Sequence, residues 1–197
     1  MQVPLDRQRF PLSMVLAAFM FACGSSPTQV PNEYTVIGTL LSVRGETAQV
    51  CAVETYSLPP TCGGGVTIYG VDVRTAPGAR VFSNGTVDTG LVRVVGTWDG
   101  QALTLVEPLR SARADEMPPW PACTAGARNS MLPDSTAQRI NDDTPSLRSR
   151  GIEVLSITPY NDGILVVVPV ADSKTVSYMT GKYGQLQIVG WLQPAHA

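Results

Sequence analysis

Two runs of β-branched and aliphatic residues carry a glycine at the same place, Thr35-Val36-Ile37-Gly38-Thr39-Leu40 and Arg93-Val94-Val95-Gly96-Thr97-Trp98, and Gly70 interrupts a third run, Val66–Val73. Glycine inside a strand weakens it unless it permits a bulge, a bend or a close approach. Its recurrence predicts a small sheet that curls. Residues 34–108 therefore read as a small antiparallel β-barrel of the oligonucleotide- and oligosaccharide-binding type, with a β-sandwich or open antiparallel sheet as the alternative. Gln49–Glu54 supplies another strand, and Asn84-Gly85 marks a turn. Asp99-Gly100 predicts a two-residue hairpin turn between Leu91–Trp98 and Gln101–Glu107. Gly63-Gly64-Gly65 has no lysine and no following helix pattern, so it reads as a hinge and not as a phosphate-cradling loop.

Pro108, Pro118, Pro119, Pro121 and Pro133 break the next stretch, and 109–133 reads as a linker. Trp120 reads there as an apolar staple on a domain face. Residues 134–197 read as a small α/β unit, making the chain α+β overall. A helix capped by Asp134 or Ser135 runs through Ile140 and ends at Asn141-Asp142-Asp143. Ile152–Pro159 and Gly163–Ala171 are strands joined by a hairpin at Tyr160-Asn161-Asp162-Gly163. Ile164-Leu165-Val166-Val167-Val168 is apolar throughout, as a central strand covered on both faces would be. Asp172 or Ser173 caps a helix to Tyr183 that buries Val176, Met179 and Tyr183. Gly184 stops it, and Leu186–Leu192 returns as a strand. The order is β-β-α-β.

Residues 1–22 read as a secretory signal. Arg7 and Arg9 precede an apolar run of eleven residues, Leu12–Ala22. A membrane-spanning helix needs about 20. The polar stretch 23–33 then reads as a tether. Ala22 directly before Cys23, followed by Gly24-Ser25-Ser26, resembles bacterial lipoprotein precursors. That resemblance implies cleavage before Cys23 and fatty acyl chains, palmitate among them, on this residue. The protein would then sit on the outer face of the cytoplasmic membrane. A cut at the small pair Ala22 and Gly24 would release a secreted protein instead, and a retained leader would act as an anchor. The positions usually held by leucine and a small residue carry Met20 and Phe21.

An exported chain meets an oxidising compartment. Cys51 and Cys62, eleven residues apart, are the candidate disulfide. Cys123 is left over if Cys23 is lipidated and is its possible partner if not. The cysteine spacings and the single histidine, His196, give no metal site and no nucleophile–base pair. No cofactor is expected. Glu46, Glu54, Asp72, Glu107 and Glu153 are the carboxylates from which a small envelope hydrolase would draw its acid and base. A formal charge of −2 leaves no broad basic surface for nucleic acid. With 44% hydrophobic and 15% charged residues the chain is neither disordered nor a coiled coil.

Val50-Cys51-Ala52-Val53, Ser57-Leu58-Pro59-Pro60-Thr61-Cys62-Gly63-Gly64 and Val95-Gly96-Thr97-Trp98-Asp99-Gly100-Gln101 together resemble a group of exported actinobacterial proteins of unknown function. The resemblance implies a location outside the cytoplasm and a two-part architecture, and it transfers no catalytic residue. The expectation is a lipid-anchored envelope protein serving as a non-catalytic module that binds an envelope protein or small molecule. The alternatives are the carboxylate hydrolase and a secreted inhibitor presenting the Cys51–Cys62 loop.

Overall fold

Strands β1 (Glu33–Ser42), β2 (Gln49–Thr55) and β3 (Thr61–Tyr69) form a meander, seen in a computed structural model that describes residues 33–44, 46–55, 57–117, 134–160 and 163–195. Residues 1–32, with the expected signal and Cys23, and also Trp120, Cys123 and His196, lie outside those residues. The short β4 (Arg80–Val81) leads into the long β5 (Val87–Trp98), followed by β6 (Ala102–Leu105) and β7 (Arg110–Ser111). The ring β1-β2-β3-β6-β5 closes through the β1–β5 pairing, so the molecule is mostly β around a five-strand barrel. All pairs in the ring are antiparallel except β3 with β6. This corrects the antiparallel expectation, and the reason is parity. Directions cannot alternate all the way round a closed ring with an odd number of strands, so one neighbouring pair must run parallel. Leu40, Val50, Ile68, Val92, Val94 and Leu103 fill the interior.

Gly63-Gly64-Gly65 is not a hinge but lies within β3. A Cβ on Gly64 would fall 2.1 Å from the Leu155 carbonyl oxygen, and one on Gly65 would fall 2.4 Å from that of Val50. Gly64 and Gly65 are glycine because other backbone lies against them, whereas a Cβ on Gly63 would make only ordinary contacts. The β5–β6 turn is displaced by one residue from its predicted place. Trp98 faces Leu103, and the Asp99 N–H donates to the Ala102 carbonyl at 3.2 Å. Gly100, at φ 101°, therefore opens a reversal completed by Gln101. The Asp99 carboxylate draws the chain round by accepting the N–H groups of Gln101 and Ala102, each at 2.8 Å. Those two bonds, led by that from Ala102, lower its pKa. In the proline-rich stretch, Arg110–Ser111 pairs with Val92 and Arg93 of β5.

Helix α1 (Asp134–Ser149) runs past its predicted end at Asn141-Asp142-Asp143 and contains Pro145. Ile140 and Leu147, seven residues apart on one face, are both fully buried. That apolar anchorage outweighs the backbone bond that Pro145 cannot make. Strands β8 (Ser156–Tyr160) and β9 (Gly163–Val168), helix α2 (Ser173–Tyr183) and strand β10 (Leu186–Gly190) follow. Strand β9 is central in a three-stranded sheet, antiparallel to β8 and parallel to β10. Ile164 through Val168 are all buried, as an unbroken apolar run requires. Asp172 caps α2 by accepting the Thr175 N–H at 2.7 Å, and an alanine there is expected to cost about 1 kcal/mol in chemical denaturation. The face of α2 that is buried carries Thr175, Met179 and Tyr183, with Val176 only half-buried. The last strand, β11 (Gln193–Pro194), pairs with β1 of the barrel, and Leu155, Val167, Trp191 and Leu192 lie in the barrel's own apolar cluster. The C-terminal segment and the barrel thus share a core.

Candidate functional site

Cys51 and Cys62 form a disulfide between β2 and β3, with Cα atoms 5.5 Å apart. It lies beneath a loop whose neck is the Thr55–Thr61 pair, joined through backbone and hydroxyl groups. Pro60 is buried, whereas Leu58 is 92% exposed. Closing a loop of this length contributes about 2–3 kcal/mol in the chain-entropy account. The Cys51→Ser/Cys62→Ser variant is expected to unfold that much more readily in urea, with the wild type under reductant behaving alike.

Two of the concavities among the described residues are candidate sites. The first, about 390 Å³, lies at one barrel end between the β1–β2 loop and the chain leaving β3. Its rim carries Arg44, Glu46, Asp72 and Arg74, and Gly85 of the 82–86 turn closes one side. The second, about 440 Å³, is a cleft between the β2–β3 face and the C-terminal end of α1. Gln49, Thr67 and Gln101 line it from the barrel, Arg148 and Glu153 from the other wall. Arg148 donates from Nε and Nη2 to the two Glu153 oxygens at 2.8 and 2.7 Å. This fork raises the Arg148 pKa and leaves the wall neutral as a whole.

The candidate carboxylates are thereby dispersed. Glu46 and Asp72 share the first cavity, where one Asp72 oxygen accepts the Arg74 N–H at 3.0 Å. Glu153 lines the cleft, and Glu107 lies beside Arg110 at 3.9 Å. Glu54 falls opposite Cys62 in the strand register. Among the described residues no three His, Cys, Asp or Glu gather as metal ligands, and no helix is long and apolar enough to cross a membrane.

A polar cluster that sequence reading missed ties α1 to α2. Lys182 Nζ and the Tyr183 hydroxyl both reach Asp143 Oδ2 at 2.9 Å, and Arg139 lies over the Tyr183 ring. The Lys182 ammonium, foremost, with the Tyr183 hydroxyl, holds the Asp143 carboxyl below its ordinary 3.8. Asp143 in turn raises Lys182, while burial and then the Asp143 bond raise Tyr183. A depressed carboxyl stabilises the fold above its unfolded value and loses that contribution as pH falls through the folded one. The two raised groups lose theirs as pH climbs past about 10. Thermal melts of the wild type and Asp143→Asn should therefore differ at neutral pH and draw together as pH falls below the ordinary carboxylate range. A constant difference down to pH 2 would contradict the tether. Arg139 and Asp143 lie on α1 and Lys182 and Tyr183 on α2, and only the packing of α1 on α2 makes these four a cluster.

No family model, no curated protein and no solved structure matches the chain.

Proposed function

We propose that this is an exported cell-envelope protein, anchored through acyl chains on Cys23, whose barrel is a non-catalytic binding module of the oligonucleotide- and oligosaccharide-binding type. One observation carries the reading: the cleft over the β2–β3 face, bordered by the β5–β6 turn, lies where barrels of that type take their ligands. Its barrel wall offers amides and a hydroxyl, its other wall an ion pair already satisfied, and Gly65, Gly100 and Gly151 leave it open. Such a lining suits a neutral, hydroxyl-rich ligand, a glycan of the envelope, and the acidic chain disfavours nucleic acid.

Titrating isotope-labelled full chain with a neutral N-acetylglucosamine tetramer is expected to shift the Thr67, Gly100, Gln101 and Gly151 amides together. No shift at millimolar tetramer rejects the glycan reading. The anchor is tested separately in cells fed an alkynyl fatty acid, where the wild type should be labelled and Cys23→Ala should not. An unlabelled wild type rejects it. The exposure of Leu58 on a loop tied at both ends favours a second reading, a secreted inhibitor that inserts this loop into an enzyme. Absence of inhibition by 10 µM chain across endopeptidases that accept leucine removes it.

A further inference from the structure

The cavity at the barrel end has a composition different from that of the cleft. Its floor is apolar and buried, formed by Ala48, Ile68, Val73 and Val87. Its rim is charged, with Arg44 and Glu46 on the β1–β2 loop and Asp72 and Arg74 on the chain leaving β3, so each bank presents one cation and one anion. Among the described residues none of these four forms an ion pair, although five ion pairs occur elsewhere. The Arg44 stem is seated against the 82–86 turn: a Cβ on Gly85 would touch its Cδ at 3.2 Å and its Cβ at 3.3 Å. That contact pre-positions the guanidinium at the rim, which lowers the ordering cost of using it.

A purely anionic ligand would meet two carboxylates here, and a purely cationic one two guanidiniums. We propose that this cavity binds a small zwitterion, an amino acid or short peptide. Its carboxylate pairs with Arg44 or Arg74, its ammonium with Glu46 or Asp72, and its carbon body lies on the apolar floor. The volume of about 390 Å³ falls at the small end of ligand sites and accommodates a dipeptide. The site is separate from the cleft and stands or falls independently of the glycan reading.

Calorimetry of the full chain with L-alanyl-L-alanine, L-alanine, N-acetyl-alanyl-alanine and alanyl-alanine amide tests it. Saturable binding of the free dipeptide or of alanine is expected, and which one binds tells peptide from amino acid. Each capped form should bind about tenfold more weakly, the loss of one charge-assisted contact. Arg44→Met, which keeps the stem, and Glu46→Gln should each weaken the free ligand about tenfold. Both side chains are exposed, and unchanged melting temperatures will show that the variants fold. No binding of any of the four at 10 mM, or equal binding of free and capped forms, overturns the proposal.

Discussion

Gly64→Ala is expected to destabilise the protein by about 3 kcal/mol or more, lowering Tm by roughly 10 °C. The added methyl would lie 2.1 Å from the Leu155 carbonyl oxygen and 3.0 Å from its carbon. Both are backbone atoms, so no side-chain rotation relieves the contact. Leu155 itself is held, since its N–H bonds the Val167 carbonyl at 2.8 Å and its side chain lies in the barrel's apolar cluster. Either β3 must yield, straining the barrel, or the three-stranded sheet must back away and uncover apolar surface. The neighbouring Gly63→Ala is the control. Its Cβ would meet nothing closer than the Val53 methyl at 3.4 Å, an ordinary contact, and a change within about 0.5 kcal/mol is expected. Urea unfolding of the pair decides the matter, with hydrogen exchange showing whether β8–β10 loosens first. If both alanines are equally harmful, close approach is not why Gly64 is glycine.

The same contact explains what could and could not be read from the chain. Strand periodicity is local, so the positions of β1, β2 and β5 and the apolar centre of β9 were legible. So was a curled sheet. Gly38 and Gly96 lie inside strands where a Cβ would come 2.7 Å from a neighbouring strand's carbonyl, Cys51 and Thr104 respectively. Adjacent glycines are locally ambiguous: flexibility and tight packing leave the same letters, and only the arrival of Leu155, some ninety residues on, separates them. Asn141-Asp142-Asp143 misled in the other direction. Local propensity ends a helix near Asn141-Asp142-Asp143, whereas burial of Leu147 carries it through. The parallel β3–β6 pair follows from ring closure, a global property with no local signature. The site was least legible. The disulfide and the listing of carboxylates came from spacing and residue type, but cavities form between segments distant in sequence. Nothing in Gln49, Thr67 or Arg148 taken singly announces a shared cleft.

Arg80→Met is expected to cost about 2–3 kcal/mol, although Arg80 is 68% exposed and looks like a dispensable surface cation. The reason lies in its partner. Asp88 on β5 is 0% exposed, and Arg80 on β4 grips it with a fork, Nε on Oδ1 at 2.9 Å and Nη2 on Oδ2. Removing the guanidinium strands a carboxylate that water does not reach, and that penalty, more than the lost attraction, sets the cost. The exposed end of the arginine moderates it, which places the figure at or just below the bottom of the range for broken buried pairs. The asymmetry gives the decisive comparison. Asp88→Asn added to Arg80→Met removes the uncompensated charge while keeping the shape, and the double variant should recover about half of the loss. Because Asp88 is shielded from solvent, 1 M salt should change the wild-type contribution of the pair little, unlike a surface pair such as Arg113 with Asp115. Equilibrium unfolding in urea measures all of these. Were the double variant no more stable than Arg80→Met, the lost fork itself would carry the energy and the buried charge would not.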